Sequence, residues 1–341
     1  MRPLTPWRMS LLLAPFALFF LAALVIGPAI GPVRIDLREA WAQRGNVAGS
    51  LDASVFLLTR LPRVLLAALA GAALALAGAA FQALLRNPLA EPFTLGVSSG
   101  GALGAVLAIK LGLDVSLFGL SPVMLCALAG SVGTVGLVYV LARTRGVLST
   151  SLLLLAGVTV SFCFAAMILL VFYFSDFTET HGMLHWMMGG LDVTGFASLA
   201  RVAPFALAGM AILLALSGSL NQLSLGAELA ASRGVRVRAV QRWAYLAASL
   251  MTGAVVSLVG PIGFVGLIVP HTVRLLIGAD HRVLLPASLL TGAGFLILCD
   301  AVARTILAPA EIPVGVLTAA IGGPFFVGLL LRAKRRAGAW D

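Results

Sequence analysis

The chain has 341 residues, of which 60% are hydrophobic and 11% charged, with a net charge of +10. A soluble domain carries roughly 25% charged residues, so a water-facing globular fold is excluded. Cys126, Cys163 and Cys299 all lie in apolar runs, which points to small buried core residues rather than a disulfide framework or a metal cluster.

Nine stretches of 17 to 31 residues contain no Asp, Glu, Lys or Arg: 9–33, 64–85, 92–109, 115–142, 146–175, 202–227, 243–273, 283–299 and 312–331. About 20 apolar residues cross a bilayer as a helix, and a spanning segment must satisfy its own backbone polar groups. The stretch 243–273 is broken at Gly260-Pro261 and again at Pro270, so it is read as two segments. The expected fold is therefore an all-α polytopic membrane protein, one transmembrane domain over 1–341 with ten helices. They are placed at about 9–33, 64–85, 92–110, 119–142, 148–175, 200–220, 240–259, 261–277, 283–303 and 312–332, with a cytoplasmic loop at 221–242. Arg2 and Arg8 before the first run resemble the start of a signal peptide. That run is longer than a signal core of about 7–15 residues, so an uncleaved first helix is expected.

Along the chain, Arg60 and Arg63 stand at the outer entrance of the second helix, in Arg-Leu-Pro-Arg. Gly71, Ala75 and Ala79, then Gly96, Gly100 and Gly104, are spaced by four and share helix faces, which lets backbones approach closely. Such faces serve helix packing, a subunit interface or a pathway. The outer segment His181-Gly-Met-Leu-His185-Trp-Met187-Met188-Gly-Gly is too short to span. His181 and His185 would share a face, and histidine ligates haem iron. A pathway that coordinated its cargo would not release it, so Met183, Met187 and Met188 are favoured as a soft lining. His271 and His281, near helix ends, are read as structural. Glu228-Leu229-Ala230-Ala231-Ser232-Arg233-Gly234 is helix-prone up to a glycine that can end it. Arg304 lies near the outer end of the ninth helix.

With ten crossings, the side holding both termini carries 15 basic and 4 acidic residues, and the other side carries 8 and 9. Arg and Lys gather on the cytoplasmic side, so both termini are expected in the cytoplasm of a bacterial inner-membrane protein. The basic excess is a topology signal, not a nucleic-acid footprint. A faint repeat pairs Gly71-Ala72, Gly78 and Pro88 with Gly253-Ala254, Gly260 and Pro270 at one offset of 182. It maps the first five helices onto the last five, and five being odd, the halves would be inverted.

Three blocks carry a resemblance. The first runs from Gly71 through Phe81-Gln82-Ala-Leu-Leu-Arg86-Asn87-Pro88-Leu89-Ala90-Glu91-Pro92 to Leu95-Gly96-Val97-Ser98-Ser99-Gly100-Gly101. The second is Gly260-Pro261-Ile-Gly263-Phe264-Val-Gly266-Leu-Ile-Val-Pro270-His271, followed by Arg274 and Asp280-His281-Arg282. The third is Asp300-Ala-Val-Ala-Arg304, then Glu311-Ile-Pro313-Val-Gly315 and Gly322-Gly323-Pro324-Phe325-Phe326. Together, over about 55–332, they resemble the FecCD-type permeases of ABC importers for ferric siderophores, haem and cobalamin.

The resemblance implies a homodimer with the pathway on its twofold axis. Two ATPase subunits dock below, and a periplasmic or lipoprotein binding protein delivers cargo from above. It further implies that Glu228 to Gly234 couples to the ATPase, and that Arg60, Arg63 and Arg304 meet acidic patches of the binding protein. Gln82, Asn87, Pro88, Gly96, Ser98 and Gly100, with Met183, Met187 and Met188, become the candidate pathway residues. No cofactor is expected in this chain, since ATP and Mg would sit on the partner. A P-loop needs Gly-Lys-Ser/Thr, and Lys110 and Lys334, the two lysines, follow Ile109 and Ala333.

Two other classes compete with a transport subunit of this kind. An ion-coupled secondary transporter usually needs ionisable residues deep in the membrane, and the charge-free runs hold no Asp or Glu. A membrane enzyme needs a polar constellation that the runs lack. Among cargoes, ferric siderophore or haem ranks first and cobalamin second; Met188-Gly189-Gly190 leans slightly to cobalamin.

Overall fold

A computed structural model of the chain describes residues 5–114, 116–117, 119–144 and 147–337. Arg2 and the tail 338–341, parts of the expected cytoplasmic ends, lie outside the described residues. Ten apolar helices carry the fold: α1 (Pro6–Ala29), α2 (Leu61–Leu85), α3 (Val97–Lys110), α4 (Pro122–Ala142), α5 (Thr150–Tyr173), α6 (Ala197–Ala215), α7 (Val237–Val259), α8 (Val265–Ile277), α9 (His281–Ala303) and α10 (Val314–Ala337). Among the described residues the strands are one two-residue pair, Arg143-Thr144 against Val147-Leu148.

Local chemistry sets the ends. Ser121, Ser149 and Asp280 accept N–H bonds from Met124, Leu152 and Arg282, so α4, α5 and α9 start at capped positions. Proline stands in the first turn of α1, α2 and α4, where its missing N–H costs nothing. The helix expected at 261–277 begins instead at Val265, because Gly260 to Gly263 runs unwound around Pro261. Upstream, α2 continues a π-helical turn, Val55–Arg60, and the short helix Leu51–Ser54.

α2 is the hub. Nearly every residue from Pro62 to Leu85 is buried, as expected of a helix apolar all round. Its alanines and glycines draw neighbours in by contact rather than by water exclusion. A Cβ at Gly71 would overlap the Gly292 carbonyl of α9, and one at Gly78 the Gly266 carbonyl of α8. The matching crossing in the other half is α7 on α4, where the buried Tyr245 hydroxyl donates to the Val135 carbonyl at 3.1 Å.

The two five-helix halves match element by element. α3 and α8 have 14 and 13 residues. At 1.5 Å per residue that is about 20 Å, short of the roughly 30 Å hydrocarbon core. Each follows an irregular stretch, and each starts from a left-handed cap, Gly96 at φ 81° and Phe264 at φ 68°. The single offset seen in the sequence pairs different places, however. Gly78 lies inside α2 whereas Gly260 caps α7, and Pro88 follows α2 whereas Pro270 lies inside α8. The connection before α3 is longer than the one before α8, so no one offset can hold.

One expectation about charge is corrected here. The charge-free run ends at 299, but α9 continues to Ala303, so Asp300 lies within a spanning helix at 0% exposure.

Candidate functional site

At the expected outer end, Arg60, Arg63 and Arg304 do not form an exposed rim. All three are buried. Arg63 Nε meets Asp300 Oδ1 at 2.9 Å, and its Nη1 meets Glu311 Oε2 at 2.8 Å and Asp192 at 3.3 Å. Arg304 pairs with Asp300 at 2.9 Å and donates to the carbonyls of Ile30 and Gly27. Arg60 donates to the carbonyls of Pro28 and Ala29, at 2.9 and 3.3 Å, and of Val33. The last carbonyls of a helix have no partner within it and carry partial negative charge. Two guanidiniums therefore close the end of α1, and the third joins α2 to α9. Their charge is spent inside the chain. Asp192, Asp300 and Glu311 complete the cluster; Asp300 and Glu311 stand in the third block, but their pairing with Arg63 of α2 joins places far apart in sequence, and Asp192 lies in no block.

The short outer helix Phe177–Met187 starts with a reciprocal Asp176–Glu179 cap. Lys110 Nζ holds it to α3, reaching Glu179 and the Phe174 carbonyl, both at 2.7 Å. That bond from Lys110 lowers the Glu179 pKa. Met183 is fully buried against Leu103, Val106 and Ile168, so it packs rather than lines. Met187 is half-buried, and Met188 is 37% exposed. His181 and His185 are exposed, His181 stacking on Phe177. Gly189 and Gly190 have a packing reason. The Gly190 N–H donates to the Val259 carbonyl at 2.9 Å, Gly189 accepts from Gly315, and a Cβ at Gly189 would overlap the Pro261 carbonyl.

The breaks before α3 and α8 face each other. Gln82 Nε2 donates to the Gly266 carbonyl at 3.3 Å, and Arg274 donates to Gln82 Oε1 at 2.8 Å. Gln82 is thus a buried tie between α2 and α8. Ser98 is buried, and Gly100 lies so close to α4 that a Cβ would overlap Thr134. Gly96 packs near Gly157 and Thr134 as the left-handed cap. Asn87 Oδ1 accepts from the Leu89 N–H in a turn, and Pro88 is exposed at that end. Of the nine candidate pathway residues, then, Gln82, Gly96, Ser98, Gly100 and Met183 are enclosed within this chain. Glu91 in the same connection has an enclosed Oε2 without a hydrogen-bond partner, and burial pushes its pKa up to about 7 against a bond from the Phe264 N–H. The Phe264 ring fills the space that a side chain at Gly322 would take, near Phe326. Glu91 and Phe264 stand inside the first and second blocks, but sequence reading gave them no role, because neither a lone Glu in a loop nor a positive φ at phenylalanine is displayed by residue order.

At the expected cytoplasmic end, Ser217–Ser224 and Ala227–Ser232 form two short helices. Glu228, Leu229, Ala231, Ser232 and Arg233 are exposed, and Ala230 is buried beneath them. Gly234 has φ 82°, its N–H bonds to the Ala231 carbonyl, and the Val235 N–H bonds to Ala230. This is a glycine-closed helix end. A cavity of about 390 Å³ between Arg86 and Glu228-Leu229 borders this helix. The base is tied down: Asn221 Nδ2 donates to Asp280 at 2.6 Å and its Oδ1 accepts from the His281 N–H, while Arg233 donates to Gln222 at 2.8 Å. Bonds from Arg282 and Asn221 hold the Asp280 pKa down at about 2. The surface is a rigid, exposed elbow standing on α9.

A family model described as the FecCD transport family matches residues 17–332. The chain belongs to the FecCD transport family. This FecCD permease is 40% identical to the uncharacterised ABC transporter permease YvrB of Bacillus subtilis, over 93% of this chain and 92% of that one. It is 44% identical to the cobalamin import permease BtuC of Halobacterium salinarum, over 82% and 73%. It is 39% identical to the hemin transport permease HmuU of Yersinia pestis, over 95% and 97%. Among solved structures, an inward-facing conformation of a proposed metal-chelate type ABC transporter superposes with a TM-score of 0.81 at 34% identity, covering 95% of this chain and 99% of that one. The FecCD permease is thus the multi-pass membrane component of an ABC importer, which sets aside the secondary-transporter and enzyme readings even though Asp300 is intramembrane.

Proposed function

We propose that this permease moves a metal chelate, a ferric siderophore or haem, across the cytoplasmic membrane of a bacterium. It works as a homodimer with two ATPase subunits and a substrate-binding protein. The observation that carries the reading is the family match over 17–332, joined to the exposed, glycine-closed elbow at Glu228 to Gly234. A short rigid helix held on two membrane helices is suited to transmit a push from an ATPase. ATP and Mg belong to that partner, and the termini and the elbow face the cytoplasm in this reading.

Cobalamin is the second reading, because permeases named for cobalamin import stand as near in sequence as the hemin one. The test is to assemble the permease with its ATPase in vesicles. ATP hydrolysis is then measured with candidate binding proteins loaded with a ferric siderophore, haem or cobalamin. Stimulation and uptake with an iron chelate support the proposal; response to cobalamin alone replaces it with the second reading.

A further inference from the structure

Four arginines at the elbow end of the bundle have no acidic partner among the described residues. Arg143 closes α4, and Arg236, Arg238 and Arg242 open α7. None forms an ion pair among the described residues. Arg143, Arg238 and Arg242 surround a cavity of about 270 Å³ with Tyr139 and Ala239. A second cavity, of about 510 Å³, adjoins it across Ala239 and Arg242 and brings in Arg236 and Trp243. Neither is lined by Asp or Glu. Uncompensated guanidiniums around a concavity fit an anion, and their planar forks suit phosphate oxygens.

What lies beside the cavities narrows the ligand. Ala239, Arg242, Trp243, Leu246 and Leu250 recur at helical spacing, so they share one face of α7. Trp243, Leu246 and Leu250 are 49%, 36% and 40% exposed. The Arg242 guanidinium lies 5.7 Å from the Trp243 ring centroid. Thus a basic cavity opens onto an apolar stripe running down a spanning helix, with aromatic residues at the boundary. Trp and Tyr favour the headgroup level of a bilayer, and basic pockets between spanning helices suit anionic lipid heads. Free phosphate would use the arginines but not the stripe. An acidic protein surface would not reach past the boundary.

We propose that the groove between the end of α4 and the start of α7 binds an anionic phospholipid. Arg143, Arg238 and Arg242 hold its phosphate, and Trp243, Leu246 and Leu250 lie along an acyl chain. In the membrane this rests on that end facing the inner leaflet, as the proposed function has it.

The test uses the full-length permease purified in mild detergent, with native mass spectrometry counting bound phosphatidylglycerol against phosphatidylcholine. The wild type is expected to prefer phosphatidylglycerol, and millimolar inorganic phosphate should not displace it. The triple variant Arg143→Gln, Arg238→Gln, Arg242→Gln should lose that preference by on the order of tenfold or more, at about 1 kcal/mol per basic residue. Arg38→Gln, at the opposite end, should leave it unchanged. If the triple variant is not monodisperse, Arg238→Gln alone should lower the preference about fivefold. An unchanged preference overturns the proposal. So does full displacement by inorganic phosphate, or a variant that keeps its lipid but no longer retains the ATPase. Lipid counting in detergent is blind to orientation, so a wrong orientation would appear only in side-specific labelling of the elbow.

Discussion

A carboxylate at 0% exposure between two guanidiniums, as at Asp300 with Arg63 and Arg304, is costly to remove from one side only. Losing it strands buried positive charge, typically a loss of about 3–5 kcal/mol. Asp300→Asn is therefore expected to lower the midpoint of thermal unfolding in detergent by several degrees. An unchanged midpoint would show that solvent reaches the cluster. The same geometry changes what Arg63→Glu should do. A carboxylate there would face Asp300, Glu311 and Asp192, so yield and stability should fall before any effect on binding-protein association appears. Glu91 gives a pH signature. Its pKa is raised to about 7 in the fold from 4.5. A raised acid favours the fold while protonated, so this contribution is complete below about pH 4.5 and is lost as pH rises through 7. Glu91→Gln should flatten the fall in stability between those values and stabilise the protein above pH 7 by roughly 1–3 kcal/mol. Parallel pH profiles for the two proteins would mean that Glu91 is hydrated. None of this was legible in the residues one at a time. Arg60, Arg63 and Arg304 read as surface charges because their partners lie in other helices or are bare carbonyls, which sequence does not display.

At the scale of elements, the helices were readable because a spanning segment must be apolar for its whole length, and Pro and Gly mark its breaks. The elbow was readable for a similar local reason: a helix-prone run ended by Gly234, which adopts φ 82°. A β-branched residue resists that conformation, so Gly234→Val combined with Glu228→Ala is expected to uncouple the assembly. It should hydrolyse ATP without moving cargo, or fail to retain the ATPase; normal uptake would remove the elbow from coupling. The faces of the helices were less readable. Gly96, Ser98, Gly100 and Gln82 share spacing and polarity with pathway residues, yet Gln82 ties α2 to α8, Gly96 and Gly100 pack against α4, and Ser98 is buried. Small residues look the same whether the neighbour is another helix or a cargo. Spacing alone could not separate the two, and the three-dimensional neighbours do. The repeat was likewise visible as a plan of five plus five but not as a register, since the connections before α3 and α8 differ in length.

At the scale of the molecule, the proposed orientation, with both termini in the cytoplasm, rests on charge: 15 basic and 4 acidic residues fall on one side and 8 and 9 on the other. Burial refines that argument. On the sparser side Arg60, Arg63 and Arg304 are buried in internal pairs and caps, so the exposed contrast between the two faces exceeds the raw count. Arginines on the richer side, among them Arg143, Arg233, Arg236, Arg238 and Arg242, remain at the surface. They would meet an anionic inner leaflet at about 1 kcal/mol each, which makes the reverse insertion costly. The prediction is best read with single cysteines. Cys163 is exposed on α5 and Cys126 is half-buried, so all three native cysteines are first replaced. Gly45 projects into open space beyond α1, and Ser232 is exposed on the elbow. In intact cells a membrane-impermeant maleimide should modify Gly45→Cys and spare Ser232→Cys, and permeabilised cells should label both. Labelling of Ser232→Cys from outside would invert the molecule. The elbow could then meet no cytoplasmic ATPase, and the groove between α4 and α7 would face the outer leaflet.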